Sequence, residues 1–182
     1  MLRDSVLWDI RMSVFNREHD VVFVHIPKTA GTSMEKCYFL GGSGHTEIHK
    51  YVNQPGFDDA FKFAFVRNPW DRYVSAFYHF FGKDGRPFEI GMHTGRHFWP
   101  MHPYICNRSG ELLVDFVGRF ENLLLDWEHV CAMVGIEPVT LPWHRKNGHP
   151  PYKECYTQEQ WDWVAKNYAQ DIEMFGYQED SL

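Results

Sequence analysis

The chain has little that would tie it to a membrane, a polyanion or a redox partner. No apolar run in the first 20 residues is long enough for a signal peptide or a membrane span, because Arg3, Asp4, Asp9, Arg11, Arg17, Glu18 and Asp20 break it up. Positive charge is in short supply. Lys and Arg number 18 against 24 Asp and Glu, for a net charge of −6, so no global field gathers nucleic acid or a heavily charged polymer. Cysteine is sparse and scattered: Cys37, Cys106, Cys131 and Cys155 form no CxxC pair and read as buried free thiols. Internal repeats and low-complexity segments are lacking too. A length of 182 residues gives one expected domain over residues 1–182, with 1–20 as an N-terminal extension. Such a chain buries about two-thirds of its unfolded surface.

Two common phosphate-site devices are also missing. A Walker A loop places Lys after its second Gly and directly before Ser or Thr; here Lys28 precedes the only nearby Gly, Gly31. A metal-dependent NTPase wants an Asp at a strand end to hold magnesium; the strand-like run Phe61 to Val66 delivers Arg67 instead.

What is present is a pair of strand–loop–helix units. Val21 to Ile26 is an apolar, β-branched run that reads as a buried strand. Pro27 ends it, and the loop Lys28-Thr29-Ala30-Gly31-Thr32-Ser33 leads into a short helix with Met34 to Leu40 as its body. Strand, loop and helix start together suit an anion, through backbone N–H groups, the helix dipole, the Lys28 charge and the Thr32 and Ser33 hydroxyls. In the second unit, Phe61 to Val66 runs into Arg67-Asn68-Pro69-Trp70-Asp71-Arg72-Tyr73-Val74-Ser75. Pro69 suits a first helical turn, and Ser75 falls about two turns into a helix over 69–81.

These two segments together resemble the PAPS-dependent sulfotransferases, and most closely their carbohydrate-type, family 2-like branch. HIPKTAGTS is similar to that family's 5′-phosphosulfate loop, and VRNPWDRYVSAF to its 3′-phosphate motif. The resemblance continues through Gly118-Arg119-Phe120-Glu121-Asn122-Leu123, Pro151-Tyr152 and Asp171 to Tyr177, covering roughly residues 21 to 177. It implies an α/β fold in three layers, a parallel sheet flanked by helices, like that of P-loop NTPases. It implies PAPS (3′-phosphoadenosine 5′-phosphosulfate) as co-substrate, PAP as product, no metal, and a hydroxyl acceptor on a carbohydrate. By resemblance Lys28, Thr29, Ala30, Gly31, Thr32 and Ser33 take the 5′-phosphosulfate, and Arg67 and Ser75 the 3′-phosphate. Arg145 and Tyr152 match the segment that closes over the nucleotide. Relatives in the animal Golgi usually carry an N-terminal anchoring helix; with none visible here, the expectation is a soluble, cytoplasmic enzyme of bacterial or viral type.

Sulfuryl transfer also needs a group to take the acceptor's proton, and a histidine with a near-neutral pKa is the usual choice. Eleven histidines compete. His45 follows the Gly41-Gly42-Ser43-Gly44 turn, in the interval where several carbohydrate sulfotransferases place their base, so it is the candidate. The alternatives are His49, another histidine, or an Asp or Glu, and a turn-capping loop histidine is the competing reading of His45. Lys28 is the candidate stabiliser of the leaving group. His25, inside a strand, reads as a packed histidine. The mixed loop from His93 to Tyr104 suits a sugar, which makes His97 and His102 candidate acceptor contacts, with His49 as a third from the earlier loop; a zinc site from His93, His97 and His102 is the rival reading. Competing readings of the anion residues are a solvated loop Lys28, an Arg67 paired with Asp71 or Glu121, a surface Ser75, and a merely solvated loop from His144 to Tyr152. Arg119 and Glu121 read as a structural pair beneath the site.

The rest of the chain reads as follows. Thr46 to Ile48 is a short strand or turn, and 82–110 and 138–156 are irregular active-site loops. Glu111–Val117 and Leu123–Val134 are helices, the second capped by Gly135, and Thr157-Gln158-Glu159-Gln160 opens a helix to about Tyr168. Two other functions stay open: a phosphotransferase of kinase type on the same fold, and a non-catalytic nucleotide-binding protein. Adenosine 3′,5′-bisphosphate against ADP with magnesium separates the first from a sulfotransferase.

Overall fold

The computed structural model describes residues 15–16, 19–37, 44–91, 94–141 and 149–178. Its centre is a sheet in the order β1-β2-β3-β4, made of Phe15–Asn16, Val21–Val24, Phe61–Val66 and Phe116–Arg119. β2, β3 and β4 are parallel, and β1 adds an antiparallel edge, with Phe15 opposite Val22. The apolar runs become strands because both faces are covered. All four residues of β2 are buried, as are five of six in β3.

Alternation along the strands sorts the core into two layers. Val22, Val24, Ala64 and Val66 pack with Ile48, Met101, Tyr104 and Phe175 on one face. Val21, Phe23, Phe63 and Phe65 pack on the other with Met34 of α1 (Gly31–Cys37) and with Trp127, Val130 and Cys131 of α4 (Leu123–Val134). A third cluster joins α2 (Pro69–Phe81) to α5 (Gln158–Asn167), with Trp70 stacked on Trp161 at 4.6 Å between ring centres. Two further short helices among the described residues are α3 (His102–Ile105) and α6 (Ala169–Met174). Fully buried Asp171 of α6 accepts bonds from the backbone N–H groups of Met101 and His102 at 2.6 and 2.9 Å, and pairs with His102 Nδ1 at 2.8 Å.

The expected boundaries of α2 and α4 hold. Gly135 caps α4 at φ 75°, a left-handed conformation natural to glycine, and Thr157 with Gln160 forms the capping box of α5. The expected helix over Glu111–Val117 does not form. Leu112 bridges Cys106, and β4 starts at Phe116. Pairing with β3 overrides the local pattern there: the Asp115 N–H donates to the Lys62 carbonyl, and the Lys62 N–H to the Asp115 carboxylate, both at 2.7 Å. Residues 48–50 form a 3-10 turn where a short strand or turn was expected over 46–48. The cysteines are free thiols, Cys106 and Cys131 buried, Cys37 and Cys155 half-buried. Among the described residues, no helix is long and apolar enough to cross a membrane.

Candidate active site

The parallel strands aim their C-terminal ends at one cleft, the usual ligand position in such sheets. After β2, Lys28 and Ala30 both take the left-handed backbone, each at φ 70°. Neither is glycine, and such conformations cost about 1–3 kcal/mol each and persist only where their surroundings fix them. The fixing contacts are local. Buried Thr29 donates its hydroxyl to the Ile26 carbonyl at 2.9 Å, and the Ser33 N–H closes on the Ala30 carbonyl at 2.9 Å. Gly31 is required for a different reason. A Cβ there would stand 2.1 Å from the His25 ring, so the imidazole lies directly against the backbone. His25 is held in turn by Glu35 of α1, with Nδ1 and the carboxylate 2.8 Å apart.

After β3, Arg67 is 7% exposed. Its Nε donates to Asp71 at 2.8 Å, its Nη1 to the Lys28 carbonyl at 3.2 Å, and its guanidinium lies 4.0 Å from the centre of the Phe120 ring. The ion pair with Asp71 is therefore real, yet it spends one of the five N–H donors of the fork. Asn68 caps α2 by accepting from the N–H groups of Trp70 and Asp71, and its own N–H donates to Glu121 at 2.6 Å. Glu121 also accepts from the Tyr177 hydroxyl at 3.1 Å, while Arg119 donates to the Phe175 carbonyl and lies over the Tyr177 ring. The two thus brace the C-terminal segment through Tyr177. Ser75 is buried at 5% exposure, which removes the reading of a surface serine.

A row of imidazoles crosses the mouth of the site. Ring centres of His25 and His45 are 4.4 Å apart, those of His45 and His97 5.0 Å, and those of His97 and His79 5.9 Å. His45 has φ 56°, and its Nδ1 lies 3.1 Å from the His25 carbonyl. A carbonyl only accepts, so Nδ1 carries the proton and Nε2 of the neutral ring is left as the acceptor. Burial, then the neighbouring His25, lowers the His45 pKa from 6.5 to about 4. Burial, then His45, His79, Lys28 and Arg72, does the same to His97, also to about 4. Both rings are neutral at pH 7.

The resulting cleft, about 740 Å³, is lined by Lys28, Ala30, Gly31, Thr32, Ser33, His25, His45, Arg67, Ser75, His79 and His97. Phe120, Leu123, Leu124, Leu125 and Leu141 add an apolar wall. Of the residues expected from sequence, Thr29 turns inward, His102 is tied to Asp171, and Tyr152 packs near Trp161 at 6.2 Å between ring centres. His49 sits in the 3-10 turn, outside the lining. Arg145 and His93 lie outside the described residues. No three His, Cys, Asp or Glu side chains among the described residues are grouped to hold a metal ion.

Sequence reading missed several contributors. His79 shares a helix face with Ser75 at i,i+4 spacing, which was a readable signal. Buried Arg72 donates to the carbonyls of Pro27, His97 and Trp99, tying the 94–101 segment to the first loop. Nothing local in the sequence marks Arg72 for that.

Fold and site together define an α/β protein with a cleft at the ends of parallel strands that Lys28, Arg67 and a row of imidazoles line. The family model of the sulfotransferase family matches residues 11–95 and 86–178, and the chain belongs to that family, in its family 2-like branch. No curated protein and no solved structure matches the chain.

Proposed function

We propose that this protein transfers the sulfuryl group of PAPS to a carbohydrate hydroxyl. The observation that carries the reading is the meeting, in one cleft, of two stations, each joining a cation to hydroxyl donors, with a neutral imidazole: Lys28 with the 30–33 loop, Arg67 with Ser75, and His45. Cation, hydroxyl and amide donors fit the oxyanions of a 5′-phosphosulfate and a 3′-phosphate. The loop serves as the family's variant of a P-loop, with Lys28 ahead of Gly31.

Residue roles follow from charge. Lys28 faces negative charge that grows on the phosphate oxygen as the sulfur–oxygen bond to it breaks, so it acts mainly in the transition state. Gly31, Thr32 and Ser33 donate to the same group. Arg67 and Ser75 hold charge that does not change. His45 Nε2 takes the proton of the acceptor hydroxyl as its oxygen bonds to sulfur, leaving the sulfate ester and PAP. A pKa of about 4 makes the free His45 a weak base. A polyanion bound beside it favours imidazolium and lifts that value. His97 and His79 supply polar and aromatic edges for the acceptor.

The test is incubation with radiolabelled PAPS and a panel of sugars, lipids and small phenols. Label should pass to carbohydrate and need no magnesium. Transfer only to phenols or lipids defeats the acceptor assignment; no transfer, with protection by ADP and magnesium but not by PAP, defeats the whole reading.

A further inference from the structure

His45 stands in a conformation that few residues other than glycine adopt, at φ 56°, and something must hold it there. The His25 carbonyl holds the ring through Nδ1. The backbone is held from the other side. Arg96 Nη1 donates to the His45 carbonyl at 2.8 Å, across 51 residues of chain. Arg96 is itself well fixed. Its carbonyl accepts the hydroxyl of fully buried Tyr104 at 2.8 Å, its guanidinium lies 5.4 Å from the centre of the Trp99 ring, and the Glu47 carboxylate is 4.0 Å away. The next residue, His97, sets its ring edgewise to His45. One 3-10 turn, Arg96–Phe98, therefore grips the His45 backbone through its first residue and the His45 ring through its second.

We propose that Arg96 is a positioning residue that fixes the left-handed backbone of His45 and so presents Nε2 to the acceptor hydroxyl. The proposal rests on the reading of His45 as the base. It differs from an acceptor-binding role for Arg96, because the observed donor points at the protein's own backbone. The charged and titratable groups facing His45 are His25 from the end of β2, Glu35 from α1, and Arg96 and His97 from the 94–101 segment.

The experiment compares Arg96→Met, which keeps length and removes the donors, with Arg96→Lys, which keeps a cationic donor. Arg96→Met should lower kcat on the order of 100-fold, as expected when a reacting group is misplaced by about an ångström, with KM for PAPS and PAP affinity within about twofold of wild type. Arg96→Lys should recover most of that loss. Unchanged kcat overturns the proposal, as does a rise confined to KM for the acceptor. Imidazole ¹H–¹⁵N spectra read the same device without turnover. In Arg96→Met the His45 titration should move up from about 4 and its Nδ1–H should exchange faster, since a neighbouring cation and part of the ring's burial are lost. An unmoved His45 signal overturns the proposal. If the wild type transfers no sulfuryl group, the proposed function fails, and the spectra still decide whether Arg96 positions His45.

Discussion

The loops after β2 and β3 do the same topological job in opposite ways. Each carries the chain from a buried parallel strand into a helix, and each puts a cation into the cleft. The second is ordinary: Asn68 caps α2, Pro69 takes its first position, and only standard backbone is used. The first is strained, with Lys28 and Ala30 left-handed and the His25 ring pressed on Gly31. Strain collects where geometry must be held against relaxation. Under the proposed function, the first loop would meet the changing charge and the second the fixed charge.

The sharpest way to break that contrast is Lys28→Ala. Turnover should fall about 10²–10³-fold, the usual loss for one transition-state donor, while PAP affinity changes far less. Turnover within threefold of wild type would mean the first loop holds static charge as well. Next in size, His45→Ala should cost about 100-fold in turnover with nucleotide affinity barely moved, and His49→Ala should be milder. A dead His49 or His102 variant beside an active His45 variant moves the base elsewhere.

The low pKa of about 4 adds a pH signature. In kcat/KM of the free enzyme, the acid limb should sit near pH 4 instead of 6.5, so the rate stays flat from about pH 5.5 to 8. Stability follows with a definite sign. The unfolded chain binds protons at His45 and His97 before the folded one does, so folding weakens as pH drops from about 6.5 to 4 and is unaffected by these groups above that window. Urea midpoints at pH 7 and pH 5 test this. A midpoint equal at both, in the wild type and in a His97→Asn variant, rules it out.

Arg67→Ala should remove most of the preference for adenosine 3′,5′-bisphosphate over AMP, on the order of 2 kcal/mol, for a lost charge-assisted contact. Equal calorimetric affinities of the two nucleotides for the wild type would take the 3′-phosphate away from Arg67. Smallest is Asn68→Ala. Loss of the cap should cost about 1 kcal/mol of stability and leave discrimination between nucleotides intact, because the second loop is held by regular structure rather than by strain. Lost discrimination in that variant would blur the two loops into one device.

How much of this could be read from the chain depended on range. β2, β3 and α2 were legible because their signals are local: continuous apolar strands, Pro69 at a first helical turn, Gly135 and Thr157 at caps. The loop residues and Arg67 were legible through motif order. β4 was not, since Glu111–Val117 carries helix formers and long-range pairing, including the Lys62–Asp115 exchange with β3, makes the segment extended. His45 could be placed in its interval, but its neighbours could not. Its partners at His25, Arg96 and His97 come from 20, 51 and 52 residues away, and no local spacing announces them. Asp171 is similar: the resemblance reached it, yet its work on Met101 and His102 spans about 70 residues.

The stacked pair Trp70 and Trp161, 4.6 Å apart and 18° from parallel, has an optical consequence. Two indoles that close share their excited states, and coupling of their strong transitions gives a paired band in far-ultraviolet circular dichroism. One indole belongs to the helix that carries Ser75 and the other to α5, so the band exists only while those helices are docked. The molecule thus contains its own gauge of α2 placement. It can be read without label or ligand, and it separates variants that disturb the chemistry from variants that loosen the frame behind it.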